Sequence, residues 1–268
     1  MNGVVHALDA ARGITDRGFT FVGARGPGED LTLSFDQLRL EALRRASHLR
    51  AMGLRKGDRL ALVIPEGEDF IPTFLAALWL GAVPVPLYPP ISLGKLDAFM
   101  DALVGILNLA QPKALVTSER VGKVLWSAVG KVGSLERVIL TPELRADIPL
   151  IDPPPPPSDE DVAFLQFTSG STSAPKGVMV THGNLKANTS AILLDGIQGR
   201  PDDVTVSWLP LYHDMGLIGM VLCPLMAHMR AVFIPTISFI KNATLWMETI
   251  HKHGGTLTFA PNFAYALV

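Results

Sequence analysis

Residues 59–88 read RLALVIPEGEDFIPTFLAALWLGAVPVPLY, and this stretch contains the repeating unit from which the fold can be predicted. The apolar run 59–64 predicts a buried strand, 70–80 predicts a helix, and 83–88 predicts a second strand. Continuous apolar strands separated by helices are typical of a parallel sheet that is covered on both faces. We therefore expect an α/β fold, with parallel sheets covered by helices on both faces.

The same alternation extends to both sides of this stretch. On the N-terminal side, periodicity predicts a helix over 34–52, with Ser34 as N-cap, Gln37 three residues later and Gly53 as a stop signal. A run of five prolines at 153–157 indicates a stiff linker. On the C-terminal side, the pattern predicts helices at 96–109, from about 118, from 184, after 214, over 239–253 and after 261, and strands at 114–117, 137–140, 162–167, 178–181, 204–208, 231–234 and 256–259.

Composition excludes several classes of protein. In 268 residues, 23 Lys plus Arg against 25 Asp plus Glu give a net charge of −2 with no basic block, so we expect neither nucleic acid nor an anionic membrane as a partner. A hydrophobic content of 48% excludes a disordered chain. Cys223 is the only cysteine, which excludes an internal disulfide and favours a cytoplasmic location. The charged N-terminal residues also lead us to expect no signal peptide.

One uncharged run, residues 70–93, is long enough to raise the question of a membrane span, which needs roughly 20 apolar residues. Gly81 and the prolines at 84, 86, 89 and 90 interrupt it, and these residues do not continue a helix. We therefore expect a buried helix followed by a short strand, and no transmembrane segment.

Residues 168–177 read TSGSTSAPKG and lie between two predicted strands. Five hydroxyl side chains, two glycines and the cation of Lys176 are suited to binding a phosphate-like anion, because glycine lets backbone N–H groups approach closely. The usual G-x-x-x-x-G-K-[ST] nucleotide loop does not fit, since it requires glycine at Pro175 and a hydroxyl at Gly177. A Ser/Thr-rich surface turn would explain the composition equally well, so the residues alone leave both interpretations open.

Two longer segments extend this observation to a family. LQFTSGST at 165–172 with PKGVMVTH at 175–182 resembles the phosphate-loop signature of adenylate-forming enzymes, which include acyl- and aryl-CoA synthetases, peptide-synthetase adenylation domains and luciferases. WLPLYHDMGLIG at 208–219 is similar to the pattern of the fatty acyl-AMP ligases, and VPLYPP at 85–90 and APNFAY at 260–265 also resemble that branch. Ser173 departs from the superfamily pattern, which usually has glycine there.

The resemblance implies ATP-dependent activation of a fatty acid to an acyl-adenylate with release of pyrophosphate. It also implies transfer of the acyl group to an acyl carrier protein of a lipid, polyketide or peptide synthetase, with ATP and Mg²⁺ as cofactors. The residues that would bind the ATP phosphates are Thr168, Ser169, Gly170, Ser171, Thr172, Lys176 and Gly177.

His213 would lie beside the substrate carboxylate by the same resemblance, and its alternative is a hydrogen-bonded core histidine. Asp214 directly precedes a predicted helix, which favours an N-cap over a catalytic acid. Pro261 and Asn262 would lie near the adenine or the acyl group, or simply begin a helix. Residues that could line an acyl tunnel, or equally pack in the core, are Met215, Ile218, Gly219 and Met220.

Three further side chains carry no predicted chemistry. His251 and His253 are two apart on a predicted helix, so they make a poor metal pair, and we expect both to be solvated. Cys223 has no adjacent base or lysine and is expected to be a small buried hydrophobe. No metal ligands are predicted.

The resemblance also predicts a domain organisation. Residues 1–186 would form a first α/β subdomain that includes the phosphate loop, and 187–268 the opening part of a second. The family's downstream motifs and its mobile C-terminal domain have no counterpart here, so we expect a fragment that is inactive alone. Two alternatives stay open: a fatty acyl-CoA ligase of the same fold, and a non-catalytic module that binds a nucleotide or a lipid.

Overall fold

A computed structural model describes residues 3–90, 96–152, 155–168 and 175–268, apart from the side chains of 127–129. The strands in these ranges are β1 Gly18–Gly26, β2 Glu29–Ser34, β3 Arg59–Val63, β4 Val83–Pro86, β5 Ala114–Thr117, β6 Arg137–Leu140, β7 Val162–Thr168, β8 Lys176–Thr181, β9 Val204–Ser207 and β10 Arg230–Phe233. The α-helices are α1 Val4–Ala10, α2 Phe35–Ala51, α3 Gly67–Leu80, α4 Leu96–Ala110, α5 Glu119–Val129, α6 His182–Ser190, α7 Cys223–Ala227, α8 Thr236–Lys241, α9 Thr244–His253 and α10 Asn262–Tyr265.

The chain divides into two compact units that both take residues from separate parts of the sequence. One unit contains 1–40, 66–71 and 183–268, and the other contains 41–65 and 72–182. The N-terminal 40 residues thus group with the C-terminal part of the chain. The expected division into subdomains at 1–186 and 187–268 stays a prediction.

The unit containing 41–65 and 72–182 has a four-stranded sheet in the order β4-β3-β5-β6, and all its neighbouring strands are parallel. Its two middle strands are almost entirely buried, which explains why they are continuous apolar runs. Helices α4 and α5 contribute apolar side chains to the core against this sheet, including Leu103, Leu107 and Leu125. The expected α/β class with parallel sheets is confirmed.

Strands β7 and β8 of the same unit form an antiparallel pair, not a continuation of a parallel sheet. The expectation of parallel strands is therefore wrong at this place. The reason is the short connection, because parallel neighbours need a crossover of a dozen or more residues whereas antiparallel strands can be joined by a short turn.

The other unit has a mixed sheet in the order β2-β1-β10-β9. Strands β1 and β2 form an antiparallel hairpin around Gly26-Pro27-Gly28, and β1 pairs in parallel with β10. The sequence patterns predicted no element before residue 34, so this hairpin and helix α1 were missed. Strand β2 is only half-buried, and its apolar residues are spaced by polar ones, which gives a weak signal.

The predicted start and end of helix α2 are confirmed. The Gln37 N–H donates to Ser34 Oγ at 3.2 Å, and the Ser34 N–H donates to Gln37 Oε1 at 2.9 Å, so the two residues form a reciprocal capping box. Gly53 follows the helix with φ of +99°, a backbone conformation that favours glycine.

Two predictions near the C-terminal end were wrong. The single helix expected at 239–253 is two helices, α8 and α9, because Asn242 between them is extended and accepts a hydrogen bond from the Thr244 hydroxyl at 2.7 Å. The strand expected at 256–259 is reduced to one bridge between Leu257 and Thr205. Next to this bridge, the Thr258 hydroxyl donates a hydrogen bond to the Val206 carbonyl and accepts one from Trp246 Nε1.

In the described part of the chain, no helix combines the length and the apolar character that crossing a membrane requires.

Candidate functional site

The predicted phosphate-binding segment is bounded by the ends of β7 and β8. Thr168 is the last residue of β7, Lys176 is the first of β8, and the two are directly opposite in the antiparallel register. Both side chains are exposed. Of the predicted phosphate ligands, the structure thus places Thr168, Lys176 and Gly177. Ser169, Gly170, Ser171 and Thr172 lie outside the described residues.

Gly177 packs against the ring of Phe167, one residue away from the Thr168–Lys176 pair. A Cβ atom on Gly177 would lie 3.0 Å from Cζ of Phe167, its partner across the two strands. Phe167 and Leu165 in turn pack against the apolar core of the unit. An alanine at 177 would force the Phe167 ring to shift, so a glycine here lets β7 and β8 pair closely beside the hydroxyl-rich segment.

The second candidate segment follows strand β9 in the other unit. Trp208 is buried and stacks on Phe239, with ring centroids 3.8 Å apart and planes inclined by 8°. The Thr236 hydroxyl donates to the Trp208 carbonyl at 2.9 Å, and the Leu209 N–H donates to the Ser207 hydroxyl at 3.1 Å. These contacts fix the backbone from which the turn at 210–214 departs.

His213 and Asp214 form a close pair at the end of that turn. His213 Nδ1 lies 2.6 Å from Asp214 Oδ1, and the same carboxylate oxygen accepts the Met215 N–H at 2.7 Å. Asp214 is the N-cap of the π-helical segment Met215–Leu222, as expected. His213 is 64% exposed, so the alternative of a core histidine is excluded and its ring is accessible to a ligand.

Gly216 was not singled out from the sequence, yet the turn depends on it. A Cβ atom there would collide with the Pro210 carbonyl oxygen and lie 2.9 Å from the carbonyl carbon. Only glycine lets the first helical turn lie this close to the chain segment that leads into it. A glycine placed just inside a helix start, six residues after a proline, is the sequence signal that could have identified it.

The residues proposed to contact an acyl chain differ widely in exposure. Met215 is 42% exposed, whereas Met220 is fully buried in an apolar cluster with Val206 and Val232. Ile218 and Gly219 are partly exposed, and a Cβ atom on Gly219 would meet nothing within 4 Å. Further along the chain, Pro261 is the N-cap of α10 and Asn262 is its exposed first residue.

Among the remaining candidates, the expectations for Cys223 and His251 are confirmed and the one for His253 is wrong. Cys223 is buried, and burial raises the pKa of its thiol to about 12. His253 is not solvated as expected: its side chain is only 20% exposed, and Nε2 lies 3.4 Å from Asp30 Oδ2. Burial, with the nearby Lys252 cation, lowers the pKa of His253. His251 is exposed.

Residues 11–268 match the family model described as AMP-binding enzyme. The chain belongs to this family. The resemblance carried by 165–182 and 208–219 is therefore confirmed at the level of the family, and both segments lie within the matched range.

Three relatives illustrate where in the AMP-binding family the chain lies. It is 37% identical, over 88% of its length, to the long-chain-fatty-acid–AMP ligase FadD26 of Mycobacterium bovis, of which it covers 40%. It is also 37% identical, over 98% of its length, to a Caulobacter vibrioides protein named as a candidate acyl-CoA synthetase, of which it covers 45%. The solved fatty acyl-adenylate ligase from L. pneumophila, in complex with acyl adenylate and pyrophosphate, matches 98% of the chain with a TM-score of 0.84 and 30% identity.

The chain covers 45% of that solved structure. It thus spans less than half the length of each of the three relatives.

Proposed function

We propose that the chain takes part in the ATP-dependent activation of a fatty acid, which gives an acyl-adenylate and pyrophosphate. The observation that carries this proposal is the placement of Lys176 opposite Thr168, where the two strands flank the hydroxyl- and glycine-rich segment. Membership in the AMP-binding family and similarity to fatty-acid–AMP ligases support it.

The reaction joins a carboxylate oxygen to the α-phosphorus of ATP, and the bond from that phosphorus to the bridging oxygen breaks. Negative charge then builds on the leaving pyrophosphate. We assign to Lys176 the neutralisation of this charge, since its ammonium group is an exposed point charge with three donors. Backbone and hydroxyl donors of 168–172 and the close approach allowed by Gly177 would hold the β- and γ-phosphates.

We assign to His213 the contact with the fatty-acid carboxylate, because its ring is accessible and held at the start of a helical segment. We propose that the acyl chain is lined by Met215, Ile218, Gly219 and Met220. Of these, Met220 is buried in the apolar core and would line the chain from the core side. Pro261 and Asn262 are proposed to lie near the adenine or the acyl group.

In this proposal, Mg²⁺ is bound by the substrate ATP. Among the described residues, no group of three or more His, Cys, Asp or Glu side chains could hold a metal ion. We therefore propose no protein ligand for Mg²⁺, which would arrive bound to the ATP phosphates and reduce their charge.

The acceptor of the acyl group is proposed to be an acyl carrier protein. Similarity to the Caulobacter protein favours coenzyme A as the second candidate. Incubation with ATP, fatty acid and either coenzyme A or a carrier protein, followed by mass analysis for acyl-CoA or for acylated carrier protein, separates the two acceptors.

The proposed activation is tested by fatty-acid-dependent exchange of radiolabelled pyrophosphate into ATP. The assay uses the 268-residue chain and, where the reading frame continues, the longer protein. Exchange that requires a fatty acid supports the proposal. Folded protein that binds ATP but catalyses no exchange in either form would contradict it and favour a non-catalytic nucleotide-binding module.

The role of Lys176 is tested by the variant Lys176→Ala in the form that shows exchange. We expect at least a tenfold loss of exchange, since removing one electrostatic group from a reacting centre costs roughly 10²-fold or more in rate. The matched control is Lys123→Ala, which removes another exposed lysine of the same unit. Equal activities of the two variants would show that Lys176 does not serve the phosphates.

A further inference from the structure

We propose that Phe167 is a positioning residue, whose ring covers Gly177 and thereby fixes how β7 pairs with β8. This pairing places Lys176 opposite Thr168. The inference rests on the function proposed above for Lys176, and it assigns a role to a side chain that this function does not itself use.

The ring of Phe167 lies face-on to Gly177. The position that a Cβ atom would take on Gly177 is 3.0 Å from Phe167 Cζ and 3.3 Å from both Cε1 and Cε2. A point beyond the rim of the ring would be clearly farther from the two Cε atoms than from Cζ, so this point lies above the ring face. In glycine a hydrogen atom takes this direction. One Cα–H bond of Gly177 therefore points at the π face, where the negative charge of the ring attracts it.

The same ring is held by the core of its unit. Phe167 and Leu165 are two residues apart on β7, so their side chains lie on one face of the strand. Both pack against the apolar cluster that buried residues of the parallel sheet, α4 and α5 form. Phe167 thus connects the core to β8 at a residue that has no side chain of its own.

The side chains of β8 do little to fix its register. Lys176 is exposed, and the large apolar residues Val178 and Met179 are 49% and 68% exposed. Among the described residues, β7 is the only strand that pairs with β8. Register is weakly specified in a strand that buries neither face, and a glycine inside the strand weakens it further. An aromatic ring that covers the glycine from the neighbouring strand compensates for both effects.

The register matters because of the next pair along the two strands. Phe167 is opposite Gly177, and Thr168 is opposite Lys176. A slip of one residue turns every side chain of a strand to the other face of the sheet. Lys176 would then leave its place opposite Thr168, and its charge would move away from the segment assigned to the phosphates. The contact between the ring and the glycine therefore controls where the Lys176 charge lies.

Three variants isolate the effect of the ring. Phe167→Tyr keeps a ring over Gly177, whereas Phe167→Leu keeps an apolar side chain without a flat face. Leu165→Ala is the matched control, because it removes the same number of carbon atoms from the same face of β7. The residue opposite Leu165 is Met179, so no glycine loses its cover in this variant.

The structural measurement is proton NMR, because the ring current shifts a proton above an aromatic face upfield. We expect one Hα of Gly177, identified by its loss in Gly177→Ala, to be shifted upfield in the wild type, Phe167→Tyr and Leu165→Ala but not in Phe167→Leu. Proton contacts between residues 168 and 176 report the register, and they should weaken only in Phe167→Leu. An ordinary Gly177 Hα shift in the wild type would overturn the proposal, as would unchanged 168–176 contacts in Phe167→Leu.

Activity gives an independent result in the form of the protein that shows exchange. Phe167→Leu should lower kcat/KM for ATP about tenfold, because a small displacement of a group at the reacting centre is costly, and should leave the KM for the fatty acid unchanged. Phe167→Tyr and Leu165→Ala should stay near the wild type. In the Lys176→Ala background, Phe167→Leu should cost little, because a residue that acts through Lys176 is coupled to it. Equal losses in both backgrounds would show that the ring serves stability alone and would refute the proposal.

The proposed function and this role of Phe167 can fail separately. Absence of fatty-acid-dependent exchange in the wild type would contradict the proposed function. The NMR result would still decide whether the ring fixes the register of β7 and β8.

Discussion

The two four-stranded sheets of the molecule are built in different ways. The sheet β4-β3-β5-β6 uses residues 59–140 in one continuous stretch, and its strands are all parallel. The sheet β2-β1-β10-β9 joins an N-terminal antiparallel hairpin to strands that lie beyond residue 200. One sheet is therefore formed by neighbours in the sequence, and the other by partners far apart.

This difference indicates what stabilises each sheet. In the parallel sheet the two middle strands are buried almost throughout, so apolar burial spread over many residues contributes the stability. The mixed sheet must offset the entropy of closing a long loop. Buried strands β9 and β10 contribute to this, as do aromatic contacts across the sheet, among them those of the Phe19 ring, which lies 5.3 Å from Phe35 and 5.2 Å from Phe233.

The largest effect is expected from Phe19→Ala. Phe19 is fully buried between residues of α2 and β10, and loss of a buried phenylalanine costs about 4 kcal/mol. Urea denaturation should show this loss. Hydrogen exchange should increase in 18–34 and in 230–233 together, because the removed ring contacts both parts.

The matched variant in the parallel sheet is Leu115→Ala, which removes a fully buried side chain from β5. We expect a loss of about 3 kcal/mol, with faster exchange confined to sequence neighbours in 59–140. Faster exchange in 18–34 alone for Phe19→Ala, with 230–233 unchanged, would contradict the contrast between the two sheets.

A smaller loss, about 3 kcal/mol or less, is expected from Gly18→Ala in the mixed sheet. A Cβ atom at position 18 would collide with the Leu33 carbonyl oxygen and lie 2.6 Å from the Ser34 Cα, so backbone must move. The control is Gly105→Ala in helix α4, where a Cβ atom meets nothing within 4 Å. That variant should gain up to about 1 kcal/mol. Denaturation midpoints that fall equally for both would refute the steric argument.

The same contrast explains how much of the fold could be predicted. Strands 114–117 and 137–140 were predicted with their observed bounds, because a buried parallel strand is a short apolar run that needs no knowledge of its partner. The β1–β2 hairpin was missed, because the half-buried β2 acquires its place only by pairing with β1, which in turn pairs with β10.

The candidate site shows the same limit. The cap at Asp214 was predicted, since a helix start is a local feature. The contact between Asp214 and His213, and the closeness of Gly216 to Pro210, depend on the conformation of the turn. The error at His253 has a similar cause, because its partner Asp30 is more than two hundred residues away in the sequence.

Gly216→Ala should cost about 2 kcal/mol of stability and displace the turn that carries His213, because the new methyl group cannot fit beside the Pro210 carbonyl. Gly219→Ala is the control in the same helical segment, since space beside it is open. Thermal unfolding and the ¹⁵N signals of His213 report both effects. If the ¹⁵N signals of His213 are unchanged in Gly216→Ala, this glycine does not position His213.

The smallest effect concerns a polar link between the hairpin and helix α9 in the unit with the mixed sheet. Burial raises the pKa of Asp30, but hydrogen bonds from Lys252 Nζ at 2.6 Å and from the Gly23 N–H at 3.0 Å lower it further, so the net shift is downward. The native state therefore binds this proton less tightly than the unfolded chain, whose ordinary value is 3.8. The stabilisation is present above that pH and is lost as pH falls through the lowered native value.

Asp30→Asn should therefore flatten the acid limb of the stability curve. We expect the variant to be less stable than the wild type at neutral pH by about 1 kcal/mol or less, and its stability to fall little further below pH 3.8. Urea denaturation between neutral and acid pH measures the slope. The exposed Asp16, changed to Asn, is the control and should leave that limb as steep as in the wild type. A parallel slope for Asp30→Asn and wild type would show that the hairpin is held to α9 without this carboxylate. The mixed sheet would then depend on its apolar and backbone contacts alone.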